Sequence, residues 1–126
     1  MLKKLKDDHD RLRAIIDALD EQLKTEEPSE SSDFARLRWT LIRELCVHAA
    51  LERRALPTLY ASLAKPAFDS GLDHELDKAL TSHMIEWGAI AIRDGWRDYR
   101  TAAAALLNRL RKRMTYEEAT FFAALA

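Results

Sequence analysis

The chain has 126 residues and a formal net charge of −1; it carries one cysteine, three glycines and three prolines, with 48% of residues hydrophobic and 33% charged. That length suits one domain, 1–126, with a real core, and the scarcity of turn-forming residues favours an all-α chain over a sandwich or barrel. A near-zero charge gives no overall field for nucleic acid or an acidic membrane, a single cysteine excludes an internal disulfide framework, and no apolar run approaches the roughly 18 residues of a membrane span. The expected setting is the cytoplasm.

The first predicted helix starts near Leu2 and places Leu2, Leu5, His9, Leu12, Ile16, Leu19 and Leu23 on one stripe. His9 occupies a position where a leucine is expected. Thr25 to Asp33 is polar, contains Pro28 and ends in a side chain suited to capping a helix, so it reads as a loop. Helix two covers about 34–64, with Leu37, Leu41, Leu45, His48, Glu52, Ala55 and Leu59 on its buried seam. Pro57 is expected to kink it or interrupt its hydrogen-bond ladder.

Lys65 to Gly71 makes the next connection, with Asp73 as the expected N-cap of helix three. That helix carries the stripe Leu72, Leu76, Leu80, His83, Trp87 and Ile90, while His74 falls on the opposite side and reads as a surface residue. Helix four follows with Ala103, Leu107, Leu110, Met114, Glu118, Phe121 and Leu125. Two turns qualify before it, at Asp94-Gly95 and around residues 98–101. A turn near Tyr99 levels His83 with Met114, which favours the later turn and a third helix running through Gly95. The expected architecture is an antiparallel up-down-up-down four-helix bundle.

Residues four apart on a helix stack one turn above the other, so His48 and Glu52 project together from their leucine stripe. Burying an imidazole and a carboxylate is costly unless something pairs with them. His9, His48, Glu52, His83 and Glu118 can all reach one depth in the bundle and form a polar layer. Their donor atoms suit iron, manganese or zinc rather than calcium or magnesium, and two glutamates from opposing helices can bridge two ions. Each histidine taken alone reads as a satisfied core residue more readily than as a ligand, and it is the combination that points to a site; Glu118 in Thr115-Tyr-Glu-Glu118 also fits a capping box. Glu44, one turn before His48, reads either as an acceptor for an imidazole N–H or as an ion-pairing residue. Cys46 reads as structural. There is no Ser–His–Asp set, glycine-rich phosphate loop or Cys-x-x-Cys, which argues against a hydrolase or a nucleotide enzyme.

Four stretches carry a resemblance: Asp8-His9-Asp-Arg-Leu-Arg, His48-Ala-Ala-Leu-Glu52 with Pro57 after it, Leu80-Thr-Ser-His83, and Met114-Thr-Tyr-Glu-Glu118. They resemble the signature of the hemerythrin-like, or HHE cation-binding, domain family over nearly the whole chain. The resemblance implies a non-haem iron centre in a four-helix bundle, with His9, His48, Glu52, His83 and Glu118 as ligands. It implies binding or sensing of dioxygen, nitric oxide or iron rather than turnover of an organic substrate. The charge balance and charged exterior, for their part, point to a monomer or weak homodimer that binds neither nucleic acid nor membrane. Met114 departs from the family pattern, standing where a fourth histidine is expected. A thioether is a poor ligand for a hard ferric ion, so the expected cofactor is one or two iron ions held asymmetrically, with another divalent metal as the variant. The alternative is a metal-free interaction or regulatory bundle of the same fold. Haem held by His9 and Met114 is a more distant third reading.

Overall fold

The computed structural model describes residues 1–28, 32–62 and 71–125, the side chains of 59–62 and 71–73 excepted. Helix α1 spans Leu2–Leu23, α2 Asp33–Ser62, α3 Gly71–Glu86, α4 Ala89–Asp94 and α5 Trp96–Glu117. A π-helical turn, Glu118–Phe122, then leads into the short α6, Ala123–Leu125. No strand occurs among the described residues, and no helix there is long and apolar enough to cross a membrane. The connection read at 65–71 lies outside the described residues except for Gly71, as do the side chains of Leu59, Tyr60, Leu72 and Asp73.

Side-chain pairs between helices fix the topology. Arg11 meets Glu44 and His48 meets Asp8, so α1 and α2 run antiparallel. Arg53 pairs with Asp77 while Arg38 donates to the Trp87 carbonyl, which sets α2 against α3 in the same sense. Arg13–Glu118 and Arg100 to the Leu23 carbonyl do so for α1 and the α5 end. The chain is an up-down-up-down helical bundle.

The buried face of α1 follows the predicted stripe from Leu5 to Leu23, with Asp8 added to it. Its last turn leaves carbonyls without intrahelical donors. Thr25 Oγ1 donates to the Gln22 carbonyl, Arg100 Nε to that of Leu23 and Trp96 Nε1 to that of Thr25, so α5 closes the end of α1. Around this end Phe34, Trp87, Trp96 and Tyr99 pack ring to ring, with centroids 5.4–5.9 Å apart.

Helix α2 runs through Pro57 to Ser62, as read from the sequence; the proline interrupts the ladder by leaving the Arg53 carbonyl without its helical donor, and it is exposed, so water can serve that carbonyl. Two details depart from the expectations. Helix α3 starts at Gly71, placing Asp73 inside the helix instead of at its cap.

The turn before the last long helix lies at Gly95, not near Tyr99, and α3 does not run through it. Gly88 is extended, with φ −79° and ψ 174°, and interrupts the helix. At Gly95 an added Cβ would sit 3.2 Å from the Ala91 carbonyl oxygen and 3.4 Å from the Trp87 ring. A methyl there would need the Ala91 carbonyl or the Trp87 ring to give by a few tenths of an ångström, so glycine suits this tight turn.

The apolar interior falls into two clusters. One contains Leu12, Ile16, Leu19, Leu107, Leu110 and Met114 among others. The second comprises Leu5, Leu56, Phe121 and Phe122. Along α1 the boundary between them falls at His9, along α2 at His48 and Glu52, and along α5 at Glu117. A single polar layer separates two dry ones.

Candidate metal centre

That layer is fully inside the bundle. His9 is 0% exposed, Glu52 and Glu117 3% each, and His48 6%. Nε2 of His9 lies 3.2 Å from Glu117 Oε1 and 3.4 Å from Glu52 Oε1, and Nε2 of His48 abuts Glu52 Oε1. One donor atom from each of the four residues lies within 4.8 Å of the others.

The outward nitrogens of both rings are also engaged. His9 Nδ1 is 2.7 Å from Glu118 Oε2, and His48 Nδ1 is 3.1 Å from Asp8 Oδ2. A carboxylate on Nδ1 makes that nitrogen a standing N–H donor and turns Nε2 inward, where it presents its lone pair once its own proton is lost, the arrangement that orients imidazoles on metals. Each carboxylate is held in turn. Arg13 grips Glu118 with Nη1 at 2.6 Å and Nη2 at 2.8 Å, while Lys4 and Arg11 both reach Asp8 Oδ1. The Phe122 ring, 4.8 Å from that of His9, closes the layer from below.

Crowding of like and unlike groups sets the protonation. Burial opposes the charge on His9, yet the carboxylates of Glu117, Glu52 and Glu118 outweigh it and raise its pKa to about 9. Burial likewise opposes charge on His48, whose pKa is nevertheless raised by Glu52 and Asp8. Glu117 is pushed up to about 8 by burial and by the neighbouring Glu52 carboxylate. Glu52 goes the other way: burial would raise it, but His48 and His9 hold it ionised. Of two carboxyls this close, one carries the negative charge and the other keeps a proton. Without a cation the layer holds itself together with protons.

Three of the five residues singled out in the sequence converge: His9, His48 and Glu52. The fourth inward group is Glu117, with its neighbour Glu118 on the outer nitrogen of His9, 34% exposed in its side chain. The predicted stripe stepped four residues from Met114 to Glu118. The helix instead steps three to Glu117, and the π turn beginning at Glu118 supplies the extra residue that lets Phe121 and Phe122 both face inward.

His83 is not in the cluster. With the turn at Gly95 it levels with Tyr99, whose ring centroid is 5.6 Å away, and burial together with the Arg38 charge lowers its pKa. At the depth of the layer α3 presents Leu76, Asp77 and Leu80, beside Met114 of α5. Glu44 takes the ion-pairing option, with Arg11 at 3.0 Å. Cys46 is exposed.

Asp8 and Glu117 escaped the sequence reading. The signal for Asp8 was its place beside His9 on a helix that turns toward α2. For Glu117 it was the tolerance of any helical stripe for a three-residue step.

The donor set fits a cation. Two imidazole nitrogens and two carboxylates suit a transition metal. With bonds of roughly 2.0–2.2 Å, ligands on opposite sides of one ion stand about 4 Å apart, close to the spread seen here. The fold and this layer define a helical bundle of the cation-binding kind. A family model described as the hemerythrin HHE cation-binding domain matches residues 1–125, and the chain belongs to that family. Searches of curated proteins and of solved structures returned no match.

Proposed function

We propose that the chain binds one non-haem iron ion through His9, His48, Glu52 and Glu117 and uses it to bind or sense dioxygen or nitric oxide. The observation that carries this reading is the pair of inward Nε2 atoms, each backed by a carboxylate on its Nδ1. Iron is the ion that the family resemblance implies, and the family model's own description, a cation-binding domain, supports a metal. A single ion, rather than two, is supported by the group of four donors found among the described residues and by the place of His83 beside Tyr99. Bound there, iron supplies a redox-active Lewis acid whose coordination four protein ligands do not complete.

The residues have separate tasks. Glu52 supplies the standing negative charge. Glu117 and His9 give up their protons when a cation enters, because metal ligands must be deprotonated. Asp8 and Glu118 keep the two rings aimed, and the leucines and Phe122 around the layer keep water scarce.

The test is elemental analysis and an absorption spectrum of protein expressed in iron-supplemented medium. About one iron per chain, lost in His48→Ala and in Glu52→Ala, is the expected result. Protein that stays metal-free after anaerobic iron loading overturns it. That outcome would favour the metal-free regulatory bundle, for which the internally hydrogen-bonded layer is already sufficient. Tight zinc with no iron would keep the centre and remove the gas-binding role.

A further inference from the structure

The bundle leaves space around the polar layer. A cavity of about 50 Å³ lies against His48, Glu52 and Glu117. A second, of about 40 Å³, lies further along the axis against Arg38, His83 and Tyr99. On the outside, a groove of about 400 Å³ runs between α2 and α3, past Cys46 and Ile85. Leu45 and Leu80 line all three spaces, and both are half-buried.

This seam is the thin side of the bundle. The close backbone approaches run from α1 to α2, from α1 to α5 and from α3 to α5. Helices α2 and α3 are pinned instead by polar links, Arg53 to Asp77 and Arg38 to the Trp87 carbonyl. Between those links the groove is lined mostly by apolar side chains, Ile42, Leu45, Leu80 and Met84 among them, and Leu45 and Leu80 are shared with both cavities. Each cavity exceeds the roughly 10–15 Å³ that a single water requires. The second is walled almost wholly by apolar side chains, which favours an apolar molecule over water there, while in the first, where His48, Glu52 and Glu117 join the leucines, the two compete.

We propose that Leu45 and Leu80 form the gate by which a small apolar molecule, of the size of a diatomic gas, passes from the α2–α3 groove to the cavity beside the polar layer. The second cavity, behind the same two leucines, is a side chamber of that passage. The purpose of the passage rests on the proposed metal centre, whereas its existence rests only on the packing.

Xenon tests the passage without iron. In hyperpolarised ¹²⁹Xe NMR on the metal-free full chain, the parent is expected to show bound xenon in exchange with solvent. Leu80→Ala should speed that exchange severalfold, and Leu45→Phe should slow it or abolish the bound signal. If Leu80→Ala does not fold, Leu80→Val gives a smaller acceleration. No bound xenon in the folded parent, or exchange indifferent to these substitutions, overturns the proposal. A chain that takes up xenon through this gate but never loads iron would sink the proposed function and leave the passage standing.

Discussion

The carboxylate of Glu118 stands between Arg13 and His9, bound by both guanidinium Nη atoms on one side and 2.7 Å from Nδ1 of the imidazole on the other. In the proposed centre it would aim His9 rather than bind the ion. Glu118→Gln is therefore expected to weaken metal binding by about 10–100-fold, the usual range for such outer partners, while leaving the fold intact. Glu117→Gln should prevent loading altogether. Competition against a chelator of known affinity separates the two, and equal losses would place both glutamates on the metal.

Protons give the metal-free protein an unusual pH profile. Glu117 and His9 have pKa values raised to about 8 and about 9, from ordinary values of 4.5 and 6.5. Between those limits the folded chain holds protons that the unfolded chain has released. The stabilisation from both groups is present at low pH and lost as pH rises, at about 1 kcal/mol per pH unit for each extra proton. Glu52, depressed instead, contributes in the opposite sense, and its contribution is lost only as pH falls below about 4.5. Thermal melts in the presence of a chelator should show Tm falling steadily from pH 6 to pH 9. A flat profile would mean that the layer is solvated.

Metal loading should expel those protons. Calorimetric titration at pH 7 in buffers of different ionisation enthalpy should report between about one and two protons released per ion. Zero release would contradict the protonated layer.

Met114 is buried and lines the same cavity as His48, Glu52 and Glu117. Met114→His is expected to raise metal affinity and occupancy by adding a nitrogen donor to the sphere. Unchanged affinity would show that position 114 does not reach the ion.

Two glycines flank α4 and should respond in opposite directions. Gly88 is extended, and an added Cβ there meets nothing within 4 Å. Gly88→Asp should stabilise the fold by about 0.5–1 kcal/mol, by capping α4 and stiffening the unfolded chain. Gly95→Ala pushes a methyl against the Ala91 carbonyl, which the Gly95 N–H already holds at 2.8 Å, and should cost about 1 kcal/mol. Urea denaturation of the two variants decides both.

How much of this was legible in the chain depends on the length of the pattern that carried it. The α1 stripe runs unbroken for six turns, so its helix, its buried face and the inward place of His9 could be read directly. The spacing of His48 and Glu52 is local, and a helix enforces it. What failed depended on registers that local periodicity does not fix. The break at Gly88 carries no cluster of turn residues, and Asp94-Gly95 was one of two turns that qualified; which of the two the chain uses decides how far down the bundle His83 falls. The choice between Glu117 and Glu118 turns on one residue of register, and the π turn that settles it is favoured by two phenylalanines packing far from it in sequence, against Leu5 and Leu56.

Among the described residues, every group in the polar layer comes from α1, α2 or the end of α5, and α3 lines the cavity beside it with Leu76, Asp77 and Leu80. A change in Arg13 would reach His9 through Glu118, and a change in Lys4 would reach His48 through Asp8, so the three helices of the layer are tied to one another by hydrogen bonds. Among the described residues, helix α3 contributes none of those bonds. Substitutions at Leu76 or Leu80 would therefore alter the wall of the cavity beside the layer and leave the layer's own bonds in place.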